Sequence, residues 1–281
     1  MDIRPSPLAG KWYPGGAEDL AREVDSCLAA GSSCDGERGL KGVVAPHAGL
    51  RFSGPVAGHA FKPVVGRSFE TVALIGPSHY ASAAPLLTCG HDAFETPLGI
   101  VPIDRERANR LDAAIRERLG YGLTPVRNDP EHSLEMELPF LQRALGEFSV
   151  VPVVIVDQTE QNCRAVGEAL AEILQGRNAL MVASSDLSHF FTQDVAVRLD
   201  DEMLRRVGDF DPGAVMDAEE CGVGYACGRG AIAATFWAAK KLGVAQVEIL
   251  KHATSGDVSG DYSSVVGYGA AAIWELCENG R

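Results

Sequence analysis

TVALIGPSHY, residues 71–80, decides how the chain reads. Thr71–Ile75 is a short apolar run rich in β-branched residues, too brief for a helix, and Gly76 and Pro77 end it. A strand that is apolar along its whole length is buried on both faces, as in parallel sheets covered by helices. Directly after the break stands His79. The same order recurs twice: GVVAP precedes His47, and LMVASSDLS precedes His189. A fourth run, VEIL, leads into the glycine-broken acidic loop TSGDVSGD, which carries Asp257.

The strand candidates are Gly42–Ala45, Thr71–Ile75, Val150–Val156, Leu180–Ser184, Val247–Leu250 and Val265–Trp274. Amphipathic patterns lie between them. Leu20, Val24, Cys27 and Leu28 share one helical face, and so do Val166, Leu170, Ile173 and Leu174. Strand then helix, repeated, predicts a single α/β domain over residues 1–281, with a mostly parallel central sheet and helices on both faces. Val265–Trp274, rich in small residues and following a turn, is expected to return antiparallel at an edge. There is no internal repeat, and GSSCDGERG (31–39) is the loosest stretch, too short to divide domains. Ligands gather at the carboxyl ends of parallel strands, so three histidines and an acid spread over about 200 positions of sequence can converge on one cleft. Two histidines and a carboxylate, with a further histidine nearby, make the ligand set of a non-haem iron site.

Composition narrows the function classes. With 281 residues, 46% of them hydrophobic and 22% charged, the chain has the make-up of an ordinary soluble globular protein. A net charge of −13 argues against nucleic acid, whose binders carry a basic patch. No run approaches the ~18 apolar residues of a membrane span, and MDIRPSPLAGKWYPGG has no signal-type apolar core. Seven cysteines at irregular spacing, without CxxC, exclude a disulfide framework or a zinc finger and point to a reducing cytoplasm.

Each chemistry-bearing segment has a structural reading beside the functional one. In APHAGLRFSG, Pro46 keeps Ala45 extended so that the chain leaves the strand at His47. GPSHY lacks the second glycine of a nucleophile elbow, so Ser78 reads as a backbone-bonding turn residue. In SSDLSHF, Asp186 stands three residues before His189, where a carboxylate fixes a tautomer or caps the helix continuing through FFTQDVAVRL. In NDPEHSLEMELPFL, Asp129 reads as an N-cap with Pro130 at the first helical position. That puts His132 in the first turn, with Glu135 one turn on. CGVGYACGRGAI does not make a dinucleotide fingerprint; its glycines permit close backbone approach where the AIAATFWAAKKL helix opens. His59, His91 and His252 lack the strand-end setting.

Taken together, GKWYPG, APHAGLRFSG, GPSHY, ETPLG, EHSLEMELPFLQ, SSDLSHF, CGRGAI and TSGDVSGDYSSVVGY, in this order and nearly end to end, resemble the Memo family. That family is similar in fold to the catalytic subunit of class III extradiol dioxygenases, which use non-haem Fe(II). The resemblance implies His47 and His79 as metal ligands, Asp257 as the third, and His189 as an acid/base with Asp186 as its neighbour. His132 is a further candidate at the site. It implies Fe(II), with Zn or Cu as alternatives, and a dioxygenase-like oxidoreductase acting on a small substrate. The other readings are a metal-binding protein without catalysis that holds a peptide or small anion, and a zinc hydrolase. Prokaryotic members often accompany radical-SAM proteins, an expected functional partner.

Overall fold

The computed structural model describes residues 1–31, 38–244 and 246–275; most of the loose stretch 31–39 lies outside the described residues. Twelve strands and nine helices occur among the described residues. In chain order they are β1 (Ile3–Arg4), α1 (Ala17–Ala30), β2 (Leu40–Ala45), α2 (Leu50–Phe61), β3 (Thr71–Pro77), β4 (Leu86–Cys89), β5 (Ala93–Thr96) and β6 (Gly99–Pro102). Then come α3 (Arg105–Leu119), β7 (Thr124–Val126), α4 (Leu138–Ala144), β8 (Ser149–Ile155), α5 (Glu160–Leu174), β9 (Ala179–Ser184) and β10 (His189–Phe191). The chain ends through α6 (Gln193–Gly208), α7 (Pro212–Glu220), α8 (Arg229–Lys241), β11 (Gln246–Thr254), α9 (Gly256–Ser259) and β12 (Val265–Trp274).

Nine strands form one sheet in the order β10-β12-β2-β9-β3-β8-β4-β7, with β11 also paired to β12. The centre, β2-β9-β3-β8, is parallel, and these strands are buried along almost their whole length. The margins are antiparallel where β8 meets β4 and where β2 meets β12. The sheet is therefore mixed, with the expected parallel part at its middle. β12 is antiparallel as expected, but it is interior: β2 pairs with one side of it and β11 with the other. Pro125 lacks an N–H for a ladder, which suits β7 to the opposite edge. A second sheet, β1-β5-β6, joins the amino terminus to residues 93–102.

Side chains alternate across the central strands and feed two cores. Ala73, Ile75, Val151 and Val153 face the layer containing α3, α5 and α8. Val72, Leu74, Val150 and Val182 face the layer containing α1, α2 and α4. The amphipathic faces read from sequence are the buried ones: Leu20, Val24 and Leu28 on α1, and Val166, Leu170, Ile173 and Leu174 on α5. Among the described residues no helix is long and apolar enough to cross a membrane.

Two expected helix starts move. Asp129 caps nothing: its carboxylate accepts from Arg4 and from the Glu131 N–H, and Glu131 in turn accepts from the N–H groups of His132 and Ser133. With its amides tied to these carboxylates, the segment reaches only a 3-10 turn at Glu135–Glu137 before α4 begins. Likewise α6 begins at Gln193, after Thr192, so neither Ser185 nor Asp186 caps it.

Candidate metal centre

β2, β9 and β3 are adjacent and parallel, so their carboxyl ends emerge side by side. Neighbouring strands are roughly 4.8 Å apart, which puts the exits of β2 and β3 about 10 Å apart with β9 between them. His47 and His79 lean in from either side until their ring centres are 5.2 Å apart, edge to face. Ser184, the last residue of β9, lies 2.8 Å from His47 Nδ1 through its Oγ. His79 Nδ1 lies 3.0 Å from Glu131 Oε1, and the same carboxylate accepts from the His79 backbone N–H. Both rings thus have Nδ1 occupied and Nε2 left for the cleft.

The third group is Cys227. Its Sγ is 3.3 Å from His47 Nε2, and ligand atoms of His47, His79 and Cys227 all lie within 4.8 Å of one another. Cys227 stands just before α8, and Gly228 makes that placement feasible. A Cβ at Gly228 would fall 2.3 Å from the Ser184 carbonyl. The Gly228 N–H donates to Ser185 Oγ, Gln158 donates to the Cys227 carbonyl, and the Asp186 N–H points at Sγ from 3.2 Å.

Asp257, expected as the third ligand, does not join His47, His79 and Cys227. It is exposed at the start of α9, where its Oδ2 accepts from the Thr254 N–H and closes its own turn. Asp186 is not paired with His189. It is buried, and its Oδ1 accepts from the backbone N–H groups of His47 and Ala48, which fixes the exit of β2. Burial pushes its carboxyl up to about 7, against those two hydrogen bonds.

His132 is in the site, but Glu135 does not meet it. Glu135 accepts instead from Arg4, Ser6 and Tyr13. His132 stacks on His79 with centres 4.3 Å apart and planes 26° from parallel, and Trp12 covers it at 4.3 Å. Stacked rings direct their lone pairs side by side rather than toward one point, so His132 forms a wall of the cleft. Glu131 ties the two rings together, with one carboxylate oxygen 3.0 Å from His79 Nδ1 and 3.4 Å from His132 Nδ1. His189 is half-buried, tilted against Tyr225 at 5.3 Å.

Burial sets the charge of these groups. It holds His47 well below the usual histidine range, with His132 and His79 adding to the effect, and it lowers His132 to about 4, with His79 again contributing. His189 is lowered by burial and then by His79. Burial alone would raise Glu131, but the hydrogen bonds from the His79 ring and backbone and from the Ser133 N–H bring it down to about 2. The Cys227 thiol is pushed well up by burial and by Asp186. The cleft thus presents His47, His132 and His189 as neutral imidazoles, the form that binds metals, and a thiol that needs an adjacent cation to become a thiolate.

Sequence reading missed Cys227, Glu131, Ser184 and Trp12 as site residues. CGRGAI was visible as a motif, but nothing in its spacing distinguishes a ligand from a small residue opening a helix.

A family model described as Memo-like protein matches residues 4–272. A MEMO1 family protein of Methanopyrus kandleri is 40% identical over 280 residues, covering 95% of this chain and 97% of its own length. MEMO1 family proteins of Methanothermobacter thermautotrophicus and Nitrosopumilus maritimus are 36% and 34% identical, each over 95% of this chain and 98% of their own. The chain belongs to the Memo family.

Proposed function

We propose that the protein is a mononuclear metal protein in which His47, His79 and Cys227 hold a first-row transition ion, and that it acts as a dioxygenase-like oxidoreductase on a small substrate. The observation that carries this reading is the meeting of two imidazoles, each with Nδ1 occupied, and one thiol within 4.8 Å. Ligating histidines have their other ring nitrogen held in this way. Fe(II) is the ion proposed. The thiol in place of a carboxylate also suits Zn and Cu(I), since soft sulfur donors favour both.

Such an ion would supply Lewis acidity and, if redox-active, electrons. The chain's own residues supply the rest. Asp186 and Ser184 orient His47, and Glu131 orients His79. Trp12 and His132 wall the cleft on one side. Neutral His132 or His189 can take a proton from a bound hydroxyl group. A largely apolar cavity of about 240 Å³ touches Ser78, Tyr80 and Glu131, but none of His47, His79, His132, His189 and Cys227 lines it, so it does not size a substrate for the centre.

Anaerobic titration with Fe(II), Zn(II) and Cu(I) tests the site. Outer partners alone are worth about 10–100-fold in metal affinity. His47→Ala and Cys227→Ala should therefore each lose at least about 100-fold, and Asp257→Ala should match wild type. Equal affinity in Cys227→Ala and wild type would sink the ligand assignment. Oxygen uptake by the Fe(II) form with small phenols supports the oxidoreductase reading; turnover by the Zn(II) form without O2 overturns it in favour of hydrolysis.

A further inference from the structure

The residue behind the cleft with no role so far is Glu137. It is fully buried at the end of the 3-10 turn, with Oε1 2.6 Å from Ser184 Oγ and Oε2 without any partner. Ser184 Oγ has one proton to give and two lone pairs to accept with. Three polar atoms crowd it: the Ser133 carbonyl at 2.7 Å, Glu137 Oε1 at 2.6 Å and His47 Nδ1 at 2.8 Å. A peptide carbonyl only accepts, so the single hydroxyl proton goes to Ser133. The other two partners must then donate, or each would set lone pair against lone pair at hydrogen-bonding distance.

We propose that Glu137 is a positioning residue: it keeps a proton on Oε1, donates it to Ser184 Oγ, and through that hydroxyl holds His47 as the Nδ1–H tautomer with Nε2 bare toward Cys227. Two independent observations agree. A carboxylate would leave a charged Oε2 buried with no donor, a state that costs far more than an unpartnered neutral carbonyl. Cys227 Sγ, 3.3 Å from Nε2, is then free to donate its S–H to that nitrogen. Burial raises the Glu137 carboxyl well above the usual range against its hydrogen bond with Ser184, and Asp186, when ionised, pushes it further up. The consequence for metal affinity rests on His47 being a ligand; the protonated carboxyl and the tautomer do not.

The test needs no substrate. At pH 7, the infrared difference spectrum of metal-free wild type minus Glu137→Gln should contain the carbonyl band of a protonated carboxylic acid, shifting in D2O. Nitrogen-15 NMR of His47 should give a protonated Nδ1 and a bare Nε2. Glu137→Gln can still donate to Ser184 through its amide N–H, so it should keep that His47 signature and bind metal within about 2-fold of wild type. Glu137→Met removes the donor; it should lose the single-tautomer signature and about 10-fold or more in metal affinity, the usual scale for an outer partner. A carboxylate band with no protonated band overturns the proposal. So does Glu137→Gln behaving like Glu137→Met, or both variants behaving like wild type. The two readings fail differently: a wild type that binds no metal but shows the band and the tautomer sinks the metal centre and leaves Glu137 standing.

Discussion

Asp186 carries a consequence that can be checked in the metal-free protein. Its carboxyl is held at about 7 in the folded chain by burial, against about 4 for an exposed aspartate. The folded state therefore binds this proton more tightly than the unfolded state. The resulting stability is fully present below about pH 4 and is lost as pH rises through about 7. Asparagine at this position keeps an oxygen for the His47 and Ala48 N–H groups but has nothing to titrate. Urea denaturation of metal-free Asp186→Asn should thus gain on wild type steadily between pH 5 and 7.5. A constant difference across that range would contradict the buried-acid account. At this scale the sequence was partly legible. His47 and His79 stood out because each follows a fully apolar run and a Gly or Pro break. Asp186 was visible as a functional acid, but its partner was not. A spacing of three residues suggested His189, whereas its oxygen reaches a backbone 139 positions away.

At the scale of the element, α8 shows how a helix start delivers a side chain. The helix was readable from AIAATFWAAKKL, and the role of its glycines in close approach holds at Gly228. What periodicity could not express is that Ser184, Ser185 and Gln158 converge on the same turn. Gly228 has a φ of −102°, so the demand there is for space and not for an unusual backbone. Gly228→Ala would bring a methyl to 2.3 Å from the Ser184 carbonyl. That overpacking should cost about 1–3 kcal/mol, measured by urea denaturation. It should also weaken metal binding, because the displaced turn carries Cys227. A destabilised variant with unchanged metal affinity would separate α8 from the centre. The missed start of α4 has a related cause: Asp129 and Pro130 are good helix-start residues, but Arg4 and Glu131 engage the segment first.

Strand order belongs to the whole molecule, and there the sequence was least informative. Apolar runs and breaks identify which end of each strand bears chemistry but not which strands are neighbours. Asp257 follows β11, which runs parallel to β2 because each is antiparallel to β12. The acid therefore sits at the correct end of the sheet, yet two strand positions beyond β2, roughly 10 Å to the side. Cys227 reaches the centre without belonging to any strand. The amino terminus also acts at long range. Arg4, on β1 of the small sheet, is buried and ion-paired with buried Glu135, and it donates to the carbonyls of Asp129 and Glu131. Ser6 and Tyr13 bond the same Glu135, and Trp12 then covers His132. Residues 4–13 thus strap down the segment that supplies Glu131, His132 and Glu137. Removing one partner of a buried pair leaves the other charge uncompensated, at a cost of about 3–5 kcal/mol. Arg4→Met should lose that much stability in urea denaturation and should also bind metal more weakly, since Glu131 and its hold on His79 loosen together. A loss below about 1 kcal/mol, the scale of an exposed pair, would mean that Ser6 and Tyr13 hold Glu135 without the arginine.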